Sequence, residues 1–149
     1  MRILLAFTIL LFSFNSFSQN NCGKRFKLVV DKVISVNADG SDGESVPLTA
    51  KITISKDSIH VILHTDEGDD IDVSGVHTET VCKMNSDYTD GTIDWKTKAV
   101  LITPDGQTRD SEMIFNLVAK NGVLKLYGVP TESPTEKLCF IIKEKQEAN

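Results

Sequence analysis

From Cys22 onward apolar and polar residues alternate, and no long stretch repeats every 3.6 residues. A period of two is typical of strands that bury one face. Residues that favour strands, such as Val, Ile, Thr, Phe and Tyr, are frequent in these segments. The pattern predicts ten strands, namely Arg25–Val36, Leu48–Ser55, Ser58–Thr65, Asp70–His77, Thr80–Met84, Thr92–Lys96, Ala99–Thr103, Gln107–Lys120, Val123–Gly128 and Lys137–Lys143.

Short polar links between these segments predict hairpins and their registers. Asn121-Gly122 and Asp105-Gly106 are pairs that accept the positive φ of tight turns. With two-residue loops there, and at Lys56-Asp57 and Thr97-Lys98, the apolar side chains share one face, because a one-residue slip would turn a strand over. The predicted facing pairs are Leu117 with Leu126, Ile102 with Arg109, Val100 with Ser111, Trp95 with Val100, and Ile54 with Ile59.

The fold class that follows is all-β, an antiparallel meander of about 8–10 strands. An open meander leaves two unpaired strand edges, which proteins avoid. The pattern therefore favours a closed up-and-down barrel over a two-sheet sandwich. Two polar links, Asn37–Val46 and Pro130–Glu136, are the longest, and we expect them at the mouths of the barrel.

The N-terminus predicts export. Arg2 is followed by the apolar run ILLAFTILLF at residues 3–12, and Ser16-Phe17-Ser18 fits a cleavage site. The run is shorter than the roughly 20 apolar residues of a membrane-spanning helix. We predict a signal peptide at residues 1–18 and one β-domain at residues 19–149, in the periplasm or outside the cell. Lipidation of Cys22 is an alternative, although Gln19-Asn20-Asn21 is unlike a lipidation site.

Three cysteines in an exported chain allow one disulfide and leave one thiol. Cys82 and Cys139 each lie within a predicted strand, whereas Cys22 lies near the terminus. A bridge between Cys82 and Cys139 would join two strands and is the favoured pairing. The two pairings that involve Cys22 remain open, as does the absence of any bridge.

The charge balance argues against nucleic acid as a partner. The chain has 16 Lys and Arg against 21 Asp and Glu, a formal net charge of −5. Nucleic-acid binding needs a basic face, because phosphate contacts dominate the affinity. The largest basic cluster is Lys24-Arg25-x-Lys27, which is small.

One acidic hairpin is a candidate calcium site. Asp66, Asp70 and Asp72 belong to the segment Asp66-Glu67-Gly68-Asp69-Asp70-x-Asp72, and calcium prefers oxygen ligands. The spacing does not match an EF-hand loop, and alternation sends some of these carboxylates to opposite faces. A solvated, charged turn is the simpler interpretation.

The histidines and the known catalytic motifs do not predict an enzyme. Pairing Ile59 with His77, and His64 with Asp72, turns His77 inward and His64 outward, so three histidines cannot share a metal. We expect His77 to be a core or cavity-lining imidazole with one hydrogen bond. The chain lacks the G-x-S-x-G and H-E-x-x-H motifs, and it lacks a glycine-rich phosphate loop.

The expected activity is binding. Small barrels either pack solid or enclose one small ligand, and inward-facing Trp95, Phe115, Leu117 and Leu126 would suit an apolar molecule. The alternative is a protein-binding or inhibitory module that uses loops, an edge strand or an outer apolar patch at Ile114, Val118 and Tyr127. The calcium-dependent surface module is a third possibility. The sequence leaves the oligomeric state open.

Overall fold

The computed structural model describes residues 22–148, which form nine strands and no helix. The predicted signal peptide lies outside this part of the chain, and between residues 22 and 148 no helix is long and apolar enough to cross a membrane. The strands are β1 (Phe26–Val36), β2 (Asp42–Val46), β3 (Leu48–Ile54), β4 (Ser58–Thr65), β5 (Asp70–Met84), β6 (Gly91–Ile102), β7 (Thr108–Lys120), β8 (Val123–Pro130) and β9 (Leu138–Glu147).

Eight of the strands form the predicted closed barrel. Strands β3 to β9 pair in chain order, and β1 joins the two ends by pairing with both β3 and β9. The closing pair is antiparallel and runs from Phe26 opposite Glu147 to Ser35 opposite Leu138. Closure removes the two free edges of the meander, which is the physical reason that a barrel is favoured over an open sheet.

The ninth strand, β2, arises within a segment that we expected to be a loop. It pairs with the second half of β1, while β3 pairs with the first half, and Pro47 separates the two. Proline lacks an N–H and cannot continue the ladder, so the chain changes strand there. Lys125 reaches Asp42 of this strand with a 2.9 Å ion pair, which fastens β2 to β8.

Two predicted hairpins are confirmed, one has a longer turn and a different register than predicted, and one is wrong. Leu117 faces Leu126, and Ile54 faces Ile59. Thr97-Lys98 is no loop, because β6 runs unbroken through it and buries Thr97. At Asp105-Gly106 the turn closes with hydrogen bonds from Thr103 to Gln107 and from Gly106 to Thr103, so it is longer than two residues.

The longer turn reverses the predicted orientation of one strand end. Ile102 faces Thr108 and Val100 faces Asp110, one residue away from the predicted register. Val100 and Ile102 therefore point outward, 40% and 41% exposed, and Ala99 and Leu101 take the inner positions. A one-residue slip has this effect because side chains alternate between the faces.

The inner face forms one continuous core. Trp95, Phe26, Phe115 and a set of Ile, Leu and Val residues from all the barrel strands are almost fully buried in it. Full burial of one large apolar side chain stabilises the fold by about 1.5–3 kcal/mol. The filled barrel is therefore also the main source of stability.

A second, smaller cluster lies on the outer side of the wall. Ile34, Val36 and Cys139 are buried there, with Tyr127 and Ile141 packed against them. The Cys139 thiol is free, and burial raises its pKa. Tyr127 therefore contributes to this cluster rather than to an open patch, although Ile114 is 38% exposed.

Candidate functional site

The four side chains predicted to hold an apolar ligand are packed in the barrel core. Trp95 and Phe115 are 1% and 2% exposed, and Leu117 and Leu126 are fully buried. Surface cavities of about 300–540 Å³ within the described residues 22–148 are lined by other residues. A ligand bound by these four residues would have to displace packed side chains, at a cost in stability.

The feature that stands out is an interruption in the pairing of β5. This strand pairs with β4 only as far as Val76, whereas its pairing with β6 continues to Met84. Beyond His77 the side of β5 that faces away from β6 has no strand partner among residues 22–148. A cavity of about 410 Å³, which we call the β5 slot, lies along this edge and is lined by Cys22, Gly23, Lys56, Asp57, His77, Thr78, Glu79, Thr80 and Cys82.

A disulfide bridges one end of the β5 slot. It joins Cys22 to Cys82 with a Cα–Cα distance of 6.2 Å, so the favoured pairing of Cys82 with Cys139 is wrong. Cys82 faces inward opposite Ile93, whereas Cys139 lies outward in the second cluster. Two thiols on opposite faces of the wall cannot meet, because a disulfide needs Cβ atoms about 3.5–4.5 Å apart.

The other end of the slot is closed by the β3–β4 turn. The backbone N–H of His77 donates to the carbonyl oxygen of Asp57 at 2.8 Å. At this point β5 carries a bulge, because Thr78 has no partner in β6, while His77 and Glu79 face Thr97 and Lys96. Bulges bend a strand and interrupt its pairing, and they occur often beside functional sites.

The His77 side chain connects the slot to the core. It points inward as predicted, and its Nδ1 lies 2.9 Å from Thr97 Oγ1. The register with β4 is two residues from the predicted one, since Gly75 rather than His77 faces Ile59. Burial lowers the pKa of His77, although the Ser58 backbone and the Asp57 carboxylate oppose the shift. The imidazole is therefore neutral at pH 7.

Two buried nitrogens beside the slot lack hydrogen-bond partners within the described part of the chain: His77 Nε2 and Trp95 Nε1. The His77 and Trp95 rings stack with centroids 5.4 Å apart. An unpaired buried polar atom costs about 1–3 kcal/mol, so such atoms are uncommon in a finished core. A third nitrogen of this kind, His64 Nε2, lies on β4 away from the slot, so unpaired buried nitrogens occur at more than one place in the barrel.

The charges around the slot balance one another. Glu79 is paired with Lys96 at 2.6 Å, and this contact raises the pKa of Lys96. Lys56 and Asp57 are neighbours in the β3–β4 turn. The lining therefore has no strong net charge, and its other polar groups are backbone groups, the His77 ring and threonine hydroxyls.

Two of the three predicted calcium ligands, Asp70 and Asp72, contact histidines on the outer face of β4. Asp70 bonds to the His64 Nδ1, and Asp72 lies 2.9 Å from His60 Nε2. Between residues 22 and 148 no three His, Cys, Asp or Glu side chains are grouped as metal ligands would be. The structure does not bring Asp66, Asp70 and Asp72 together as one site.

The same strands contain a serine, a histidine and an aspartate in contact, but not in the order of a Ser-His-Asp triad. Ser74 Oγ donates to Asp72 Oδ1 at 2.9 Å, and Asp72 Oδ2 contacts His60. In a catalytic triad the histidine lies between the other two and takes the serine proton. Here the aspartate lies between them, so the contact from Ser74 runs to Asp72 and not to His60.

The chain matches no protein-family model, and no curated protein or solved structure shows significant similarity to it.

Sequence reasoning missed the β5 slot because it divided β5 in two. The predicted break between His77 and Thr80 coincides with the bulge, and the alternation changes phase there. One signal was present: apolar alternation continues to Met84, well beyond the number of residues that β4 can pair. A strand longer than its neighbour necessarily has an unpaired portion.

Proposed function

We propose that this protein is an exported, non-enzymatic domain that binds a protein partner on the outside of its barrel. The observation that carries the proposal is the packing of the bore, in which the Trp95, Phe115, Leu117 and Leu126 side chains occupy the space that an enclosed ligand would need. Ligand-binding barrels of this strand number need an interior cavity. A solid barrel presents its outer wall and its strand edges instead.

Export is supported by two independent features. The N-terminal residues 1–18 have the composition of a signal peptide. The Cys22–Cys82 disulfide suits an oxidising compartment, since reducing systems keep most thiols reduced in the cytosol. We place the mature domain in the periplasm or outside the cell.

The outer wall of β5 and β6 offers apolar contact area. Val76 is 62% exposed, immediately before His77, and Val100 and Ile102 on β6 are exposed farther from the slot, opposite Ser74 and Asp72. Exposed apolar side chains rimmed by polar ones are typical of protein interaction sites. This side of the wall is the one we expect a partner to cover.

Native mass spectrometry and site-specific cross-linking test the proposal. The domain is purified from its own secreted fraction, carrying a photo-reactive amino acid at Val76 or, as the control, at exposed Lys143 on β9. We expect a bare domain mass and a protein adduct at Val76 but not at Lys143. A small molecule that survives gentle ionisation and leaves on denaturation would overturn the proposal in favour of an interior ligand.

A further inference from the structure

The unpaired half of β5 presents backbone groups whose directions can be assigned. Asn85 N–H donates to Asp90 O at the end of the β5–β6 hairpin. Because alternate residues of an antiparallel ladder bond to the same neighbour, Lys83, Val81 and Glu79 also direct their backbone groups to β6. The residues between them, Thr80 and Cys82, therefore direct their N–H and C=O groups away from β6.

The bond at the other end of the slot agrees with this assignment. His77 N–H points away from β6 to reach Asp57 O, and the extra residue of the bulge shifts the alternation by one. Thr80 is thus the next residue whose backbone faces the slot. No backbone hydrogen bond from residues 22–148 reaches the slot-facing groups of Thr80 or Cys82.

We propose that the β5 slot binds a short extended segment of a partner protein, which adds to β5 as a strand opposite Thr80 and Cys82. This inference rests on the proposed function and names its site and its partner chemistry. Thr80 and Cys82 lie two residues apart, about 6.7 Å along a strand. Three residues of an added antiparallel strand would exchange hydrogen bonds with both, as in other strand-addition complexes.

The rim of the slot selects a single chain over the edge of another barrel. Cys22, Gly23, Lys56 and Asp57 line the slot together with β5. A Cβ atom on Gly23 would lie 3.9 Å from Lys56 Cδ, so the two segments meet and the free edge of β5 lies beside their joined rim. A strand of a second copy would bring its neighbouring strands with it and would meet this rim. A loose segment or a chain end has no such neighbours and fits the space.

The chemistry of the slot indicates how that segment is recognised. Backbone donors and acceptors accept any extended chain that is not proline-rich, because each added residue supplies one N–H and one C=O. The balanced charges of Glu79 with Lys96, and of Lys56 with Asp57, give no preference for strongly charged segments. Side chains of the segment that point inward would meet Thr80 and the disulfide.

The test uses peptides selected from a phage-displayed random heptapeptide library on the oxidised domain, residues 19–149. The affinities of the selected peptides are then measured for wild type, Thr80→Pro and Thr80→Val. Proline removes the slot-facing N–H of Thr80 without removing a β5–β6 bond, whereas valine keeps the N–H. We expect Thr80→Pro to lose affinity at least tenfold and Thr80→Val to bind within about twofold of wild type.

Amide hydrogen exchange gives a second readout that does not depend on a variant folding. In wild type, the Thr80 and Cys82 amides should exchange rapidly when free and become protected when peptide is added. The inference is overturned if no library peptide is selected, or if the selected peptides bind both variants equally and leave these amides unprotected.

Two other occupants would also overturn it. Protection in the free domain that disappears when residues 19–21 are deleted would assign the slot to the domain's own N-terminal segment. Protection that rises with protein concentration would assign it to a second copy. If Thr80→Pro abolishes peptide binding but still gives the protein adduct at Val76, the slot binds peptides but the natural partner binds elsewhere, which overturns the inference. If the domain with an unchanged Thr80 gives no adduct at Val76, only the proposed function is contradicted.

Discussion

The His77 ring stacks on the Trp95 ring, with centroids 5.4 Å apart and planes 20° apart. Trp95 is the only tryptophan of the chain, so its emission reports on one histidine. A protonated imidazole in van der Waals contact with an indole withdraws electron density from its excited state. We expect the Trp95 fluorescence to fall on acidification, with a midpoint below pH 6.5 because burial lowers the pKa of His77.

The matched control is His77→Phe, which keeps an aromatic stack but cannot titrate. Its fluorescence should be constant over the same pH range. A wild-type midpoint at or above pH 6.5, or a midpoint retained in His77→Phe, would show that His77 is not the titrating group.

The same residue makes stability depend on pH. Its folded pKa is lowered, so between that value and the unfolded value of about 6.5 the unfolded state binds more protons than the folded state. The free energy of unfolding should therefore carry no penalty from His77 above pH 6.5. It should decrease as the pH falls from about 6.5 toward the lower pKa of His77 in the folded state. Urea unfolding at a series of pH values checks this, and His77→Phe should flatten the curve there.

The disulfide and the remaining thiol should behave differently. Replacing Cys22 and Cys82 by serine removes a covalent link between residues 60 positions apart in the sequence. Because the unfolded chain is then less constrained, the free energy of unfolding should fall by about 2–4 kcal/mol. Cys139 is fully buried, so the native protein should not react with a thiol reagent, while the unfolded protein should contain one reactive thiol. Two or more reactive thiols without reductant would contradict the pairing.

Gly75 allows close contact between β5 and β6. A Cβ atom at this position would lie 2.4 Å from Thr97 Cγ2. Gly75→Ala should therefore destabilise the fold by about 1–3 kcal/mol, the usual cost of overpacking. Thr97→Ser removes the opposing methyl group but keeps the hydroxyl beside His77, so the double variant should recover part of the loss. Purely additive effects in a double-mutant cycle would argue against the steric explanation.

Truncation of a core residue distinguishes a packed bore from an empty one. Leu126 is fully buried, and Leu126→Ala should cost about 2–5 kcal/mol of unfolding free energy. Val123 is 53% exposed on the same strand, so Val123→Ala should change stability by less than about 0.5 kcal/mol. If Leu126→Ala cost no more than the control, Leu126 would line a cavity, and the interior-ligand hypothesis would regain support.

Local sequence information was sufficient for the strands and the tight turns. Alternation around Ile54 and Ile59, and the Asn-Gly pair after Lys120, predict hairpins that the structure contains, because both signals depend on residues close along the chain. Asn121 and Gly122 both have positive φ, as that turn requires. The preference for a closed barrel also follows from the sequence, since a meander of this length leaves edges unless it closes.

Tertiary structure decided the features that depend on distant residues. The continuity of β6 through Thr97-Lys98 depends on partners in β5 and β7, which outweigh a local composition typical of turns. The pairing of Cys82 with Cys22 depends on the face to which each thiol points, and Cys139 lies on the other face. The β5 slot exists because β4 ends before β5 does, a difference in strand length that appears only when the barrel closes. Periodicity determines which residues one strand buries. Packing across the whole chain determines which strands pair and where one strand extends beyond its neighbour.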